Sequence, residues 1–298
     1  MVKIAICSFF MKQVRYFSYS NYKGLALSFK LILWLLVVCF GIPTNGEGQC
    51  YSNLDIFKPG EKVTYHAYYN WGFIWINAGE VTFAVDESSW QGQPAWHFKA
   101  YGNTYKAYDL LFKVRDSFDV WVDPHSLQPL EFYRKTNEGS YKAQHHYLFD
   151  AENRVVKANI RKPDRPVKDT VFNWPECSFD LLSMVYQARK IDFSKYEVNE
   201  KIPINLIVDG EVHNLYIRYL GKEVIENRDN RKFRCLKFSP LLVEGTIFEE
   251  GEDMTVWVTD DLSRIPIIVE AKILVGSVKA VFIDAIGLKN PMTAEVMP

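Results

Sequence analysis

Phe118-Asp-Val-Trp-Val-Asp-Pro-His-Ser-Leu-Gln-Pro-Leu-Glu-Phe132 and Met254-Thr-Val-Trp-Val-Thr-Asp-Asp-Leu-Ser-Arg-Ile-Pro-Ile-Ile268 read as one hairpin written twice. In each, an alternating strand ends in Val-Trp-Val and a polar turn follows, Asp123-Pro124 or Asp260-Asp261. A proline then opens the return strand, a position where its missing N–H is tolerated. Trp121 and Trp257 stand 136 residues apart. The echo predicts two similar parts, with each tryptophan packed against equivalent strands of its own part.

Working outward, the same alternation recurs along the chain. In Glu61–Tyr69, Val63, Tyr65, Ala67 and Tyr69 share one face. Val81, Phe83 and Val85 continue the pattern, and Phe112, Val114, Phe118, Val120 and Val122 repeat it. Asp209-Gly210 between two alternating runs is the strongest hairpin signal. Thr104–Leu111 has no clean period and suggests a short helix or lid loop. One convincing helix is expected near the middle of the chain, over 178–190. Ser178 caps it, Asp180 sits in its first turn, and Leu181, Met184, Val185 and Ala188 form a buried stripe. Strands about ten residues apart without alternating helices predict a mainly β fold, an antiparallel barrel or sandwich. The expected organisation is a single β domain over 49–298, of two halves (about 55–175 and 200–290) joined by that helix.

The chain has 298 residues, 48% hydrophobic and 15% aromatic, enough to bury a sizeable core. Residues 1–48 differ from the rest. Lys12, Arg15, Lys23 and Lys30 precede the uncharged run Leu31–Ile42, which suits the apolar region of a secretory signal and is short for a spanning helix. Cleavage is expected between Glu47 and Cys50, with an uncleaved N-terminal anchor as the alternative. Cys39 follows Val38 rather than a small residue, which argues against lipid modification. Removing residues 1–48 takes away five Lys/Arg and one Glu, leaving 30 basic against 35 acidic residues with no basic run. Nucleic acid is therefore not an expected partner. Cys50, Cys177 and Cys235 remain, and three disulfide pairings stay open.

Four stretches, Asn70-Trp-Gly-Phe-Ile-Trp-Ile-Asn-Ala-Gly-Glu-Val81, Val114-Arg-Asp116, Phe179-Asp-Leu-Leu182 and Val256-Trp-Val-Thr-Asp-Asp261, together with Ile265–Ala280, carry a family resemblance. The chain resembles the exported domain-of-unknown-function family numbered 3108 over about Cys50 to Leu288. The resemblance implies an envelope protein of Gram-negative bacteria of the Bacteroidetes type, in the periplasm or at the outer-membrane periphery. The Trp-Val-turn-Pro hairpin is also similar to one in periplasmic lipoprotein carriers, whose half-closed barrels hold acyl chains. Neither resemblance supplies catalytic residues.

No nucleophile elbow, His-Glu-x-x-His or phosphate-binding glycine loop is present, so no catalytic residue, metal or cofactor is assigned. Adjacent His145 and His146 point to opposite faces of a strand and cannot share a metal. Glu249, Glu250, Glu252 and Asp253 fit no calcium-loop spacing and read as an exposed acidic hairpin tip. Asp116 falls on the inward face between Val114 and Phe118, where a charge needs a partner. It reads either as half of a buried ion pair fixing register or, with Arg115, as a polar anchor at the bottom of a ligand cavity. Tyr65, Tyr68, Tyr69, Trp71, Phe73 and Trp75 form the densest aromatic cluster. Asn70–Gly79 does not alternate and is expected to be a mobile edge rather than a regular strand.

The candidate ligand-binding residues are therefore Tyr69, Trp71, Phe73, Trp75, Arg115 and Asp116. The leading expectation is a non-enzymatic envelope protein binding a lipid or other apolar molecule. An envelope assembly module docking a protein partner is the second, and a hydrolase using Asp116, Asp119 and Asp261 the third.

Overall fold

The structure is a computed structural model that describes residues 54–71, 74–110, 112–242, 251–272 and 276–296, with Trp71 described in its backbone. The expected signal segment, Cys50, Phe73, the Trp71 side chain and the acidic pair Glu249-Glu250 lie outside the described residues.

Among the described residues sixteen strands form one sheet. A first meander runs from β1 (Lys62–Trp71) through β2 (Ile74–Trp90), β3 (Gln93–Thr104), β4 (Arg115–Val122) and β5 (Pro129–Glu138). The meander ends with β6 (Tyr141–Asp150), β7 (Val155–Arg161) and β8 (Lys168–Asn173). After the short β9 (Ser178–Asp180) and helix α1 (Leu181–Arg189), a second meander begins at β10 (Lys201–Val208) and β11 (Glu211–Glu226). It continues through β12 (Lys232–Pro240), β13 (Met254–Thr259), β14 (Pro266–Lys272) and β15 (Ser277–Ile286), and β16 (Glu295–Val296) pairs back on β12. Pairing of β1 with β15 joins the two meanders at a seam, and the path from β8 to β9 does not close. The fold is thus mainly β, largely antiparallel, with one helix near mid-chain. Only β9 and β10 run parallel among the described strands.

The repeated hairpin occupies matching places. Trp121 lies between His97 of β3 and Glu131 of β5, and Trp257 between Lys237 of β12 and Ile268 of β14, in antiparallel ladders. Both ladders carry a bulge at the same step, between Trp121 and Val122 and between Trp257 and Val258, opposite the return strand that proline begins. Both indoles reach across the intervening strand to the next one, Trp121 Nε1 donating to Ser88 and Trp257 Nε1 to Glu223. The rings are half-buried on the outer face, because Val120, Val122 and Val258 take the inward positions.

Two expectations are corrected. Asn70–Gly79 is not an irregular edge: its described residues belong to a β1–β2 hairpin, with Asn70 opposite Trp75 and a bulge at Ala78 that absorbs the broken alternation. Gly79 is required by close approach, since a Cβ there would sit 2.2 Å from the Asn103 carbonyl oxygen. The helix begins at Leu181, and its cap is Asp180, whose Oδ1 accepts from the Leu182 and Ser183 N–H groups; Ser178 belongs to β9. The helix buries Leu182, Ser183, Tyr186, Gln187 and Arg189, not the expected stripe. Tyr186 stacks on Phe98 at 4.1 Å and meets Phe57 edge-on at 5.2 Å, so this face completes the core over β2–β7. Met184, Val185 and Ala188 turn the other way and remain half-buried.

The Asp209-Gly210 turn, with φ of 55° and 79°, has the left-handed pair that a tight hairpin needs. It inserts against β6–β8, where the Gly210 N–H donates to the Tyr147 hydroxyl at 3.1 Å.

Candidate ligand cavity

The half-buried stripe of α1 faces a space that no side chain fills. Met184, Val185 and Ala188 form one wall of a cavity of about 190 Å³. Val63, Tyr65 and Ala67 of β1, with Val81 and Phe83 of β2, form the second. The third comes from the other side of the seam: Ile204, Ile217, Phe238, Val256, Val258, Val269, Val278 and Ala280. Strand alternation aims these residues the same way, and branched and aromatic side chains hold the walls apart. For scale, an engineered apolar cavity of about 150 Å³ accepts benzene.

Charge at the lining is neutralised. Arg189 donates from Nη1 and Nη2 to Glu61 at 2.5 and 3.1 Å, and from Nη2 and Nε to the Ser263 and Arg264 carbonyls at 3.0 and 3.1 Å. Lys279 pairs with Glu270 at 3.1 Å and lies over the Trp75 ring. Tyr65 is 4% exposed, and burial pushes its hydroxyl pKa far up, so it stays a neutral donor. Its ring is fixed edge-on between Phe83 and Phe282 at 5.8 and 6.3 Å.

Of the candidate residues read from the sequence, the four described in full, Tyr69, Trp75, Arg115 and Asp116, are not in the lining. Tyr69 packs beside Ala271 and Val278, next to the cavity but outside it. Trp75 stacks under Lys279 and Arg228. Arg115 ties down the segment before β4 through Asp109 at 2.6 Å and Thr104 at 3.2 Å. Asp116 is buried in the other arm, accepting from the Asn137 N–H at 2.7 Å and hydrogen-bonding the Glu138 side chain. Burial raises its pKa to about 6. Neither Arg115 nor Asp116 reaches the cavity, so the anchor reading is withdrawn; nor is Asp116 half of an ion pair, its partners being an amide and a second carboxyl group.

Asp116 does belong to a buried polar group with Arg134, Thr136 and His145. His145 Nε2 lies 3.5 Å from Asp209 Oδ1, close enough for an ion pair. Burial, together with Arg134 and Lys162, nevertheless lowers the His145 pKa to about 4, and the ring is neutral above that. His146 faces outward, stacked on Tyr133 at 4.2 Å. Asp119 bonds His97 on the outer face, and Asp261 spends both oxygens on Thr259, Ser263, Thr293 and Ala294, so the three aspartates do not converge. Glu252, from the acidic tip, is held by Arg218 and Tyr216. Among the described residues no cluster of three metal-ligating side chains occurs. Cys177 is disulfide-bonded and Cys235 is a buried free thiol, which removes the two pairings that used Cys235.

A mainly β protein with a helix-covered apolar cavity is the class these features define. The family described as "Protein of unknown function (DUF3108)" matches residues 64–283, and the chain belongs to it. No curated protein matches the chain. Among solved structures it is similar to a beta-barrel-like protein of domain of unknown function DUF1849 from Brucella abortus. The TM-score is 0.49 at 7% identity, over 77% of this chain and 98% of that one.

Proposed function

We propose that the protein is an exported, non-catalytic binding protein of the cell envelope, whose cavity holds the apolar part of a small lipid-like molecule. The observation that carries this reading is the helix stripe Met184-Val185-Ala188, which stays half-buried and lines an apolar cavity, with only Ala188 packed against the neighbouring core cluster. An apolar space of about 190 Å³ leaves its lining side chains without packing partners on one side. Folds seldom keep such a void unless it is used, and an apolar occupant restores the missing contacts. Export is supported by the apolar run Leu31–Ile42 and by the disulfide at Cys177, a bond suited to an oxidising compartment.

The test is organic extraction of the purified protein followed by mass spectrometry, with calorimetric titration of short-chain lipids. A stoichiometric apolar molecule, or saturable binding, supports the reading. Extracts without ligand together with absent binding across lipid classes overturn it, and a stoichiometric protein captured from membranes instead would favour an assembly role.

A further inference from the structure

We infer that the cavity selects a neutral amphiphile, whose hydroxyl or carbonyl oxygen accepts a hydrogen bond from Tyr65, over an anionic fatty acid. This rests on the binding reading above and specifies the head group.

Tyr65 lines the cavity, is 4% exposed, and its hydroxyl feels Arg189 and Glu61 through their charges rather than through a hydrogen bond. A phenol hydroxyl on the cavity wall can donate one hydrogen bond to an occupant, and the rings of Phe83 and Phe282 hold it in place. An oxygen on the occupant would supply the acceptor. The sign of the charge follows from the neighbour. Arg189 is the cation at this part of the lining, and four of its five N–H donors are already engaged by Glu61, Ser263 and Arg264. Its charge is matched by Glu61, itself 2% exposed. A carboxylate placed here would face the buried Glu61, while the cations of the lining, Arg189 and Lys279, are already paired with Glu61 and Glu270, a costly arrangement. A neutral oxygen meets no such opposition.

Calorimetric titration at pH 8 with 1-octanol and with octanoate, on wild type and Tyr65→Phe, tests this. The phenylalanine keeps the ring contacts, and an unchanged melting temperature shows that the fold is kept. On wild type, 1-octanol should bind at least tenfold more tightly than octanoate. Tyr65→Phe should weaken 1-octanol three- to tenfold and leave octanoate unchanged. Equal or tighter binding of octanoate overturns the inference while leaving the cavity-binding reading standing, as does unaltered 1-octanol binding by the variant. If neither compound binds wild type, the inference falls, and the extraction and lipid titrations described above decide the binding reading separately.

Discussion

Glu61 and Arg189, 128 residues apart in sequence, form a two-pronged ion pair in the core, with side chains 1% and 5% exposed. It joins the last turn of α1 to the entry of β1, and the carbonyls of Ser263 and Arg264 bring the second hairpin turn to the same point. Removing either partner leaves a buried charge. Arg189→Met is therefore expected to lose about 3–5 kcal/mol. The double change Glu61→Leu, Arg189→Met should recover most of that. Urea unfolding measures both, and equal losses in the single and double variants would refute the pairing argument.

Asp116 and His145 push the pH dependence of stability in opposite directions. The Asp116 pKa is raised to about 6 by burial, so the folded state holds a proton that the unfolded chain has released. Its contribution falls as pH rises from about 4 to 6. The His145 pKa is lowered to about 4 by burial, so the unfolded chain protonates first. Its contribution is present above the ordinary histidine value and is lost as pH falls from about 6.5 to 4. The two slopes offset one another in wild type. His145→Gln should flatten or reverse the acid loss relative to wild type, and Asp116→Asn should steepen it, by about 1–3 kcal/mol across the window. Unfolding curves at half-unit pH steps read this, and parallel profiles for all three proteins would contradict it.

Filling the cavity should separate binding from folding. Ala188→Leu extends a branched side chain from α1 into the void. The expected result is at least a tenfold loss of ligand affinity with stability unchanged or raised by about 1 kcal/mol. A variant that binds as wild type would show that the occupant sits elsewhere.

The tryptophan pair should respond alike. Both rings are half-buried on the outer face and tethered through Nε1. Trp121→Ala and Trp257→Ala are each expected to lose about 1–2 kcal/mol, less than the roughly 3–5 kcal/mol of a fully buried aromatic. Thermal unfolding of the two variants compares them directly, and a twofold difference between the losses would break the correspondence.

Much of the fold was legible where local chemistry decides it. Asp209-Gly210, the proline-started return strands and the alternation of Val63, Tyr65 and Ala67 all have one favourable outcome. The helix was legible in position, but its two faces were not. Leu182 and Tyr186 lie as close to a helical repeat as Met184 and Val185 do, and only tertiary packing chooses between them. Asn70–Gly79 misled because its aromatic bulk hid a bulge at Ala78, which lets a non-alternating run remain a strand. The cavity was least visible of all. It is defined by where Ala67, Ala188 and Ala280 stop short, and no local pattern records a space left between residues from nine different elements.

The β1–β15 seam sets when the molecule can become native. Tyr65 meets Phe282 across it, 217 positions later in the chain. Contacts so distant must wait for the intervening loop entropy to be overcome, which places the protein among slow folders. Until β15 arrives, β1 offers an open edge beside the still uncovered faces of Val63 and Tyr65, a surface prone to wrong strand pairing. During synthesis, the vulnerable interval is therefore nearly the whole of the chain's emergence, and a holding chaperone would act most usefully on the strand made first.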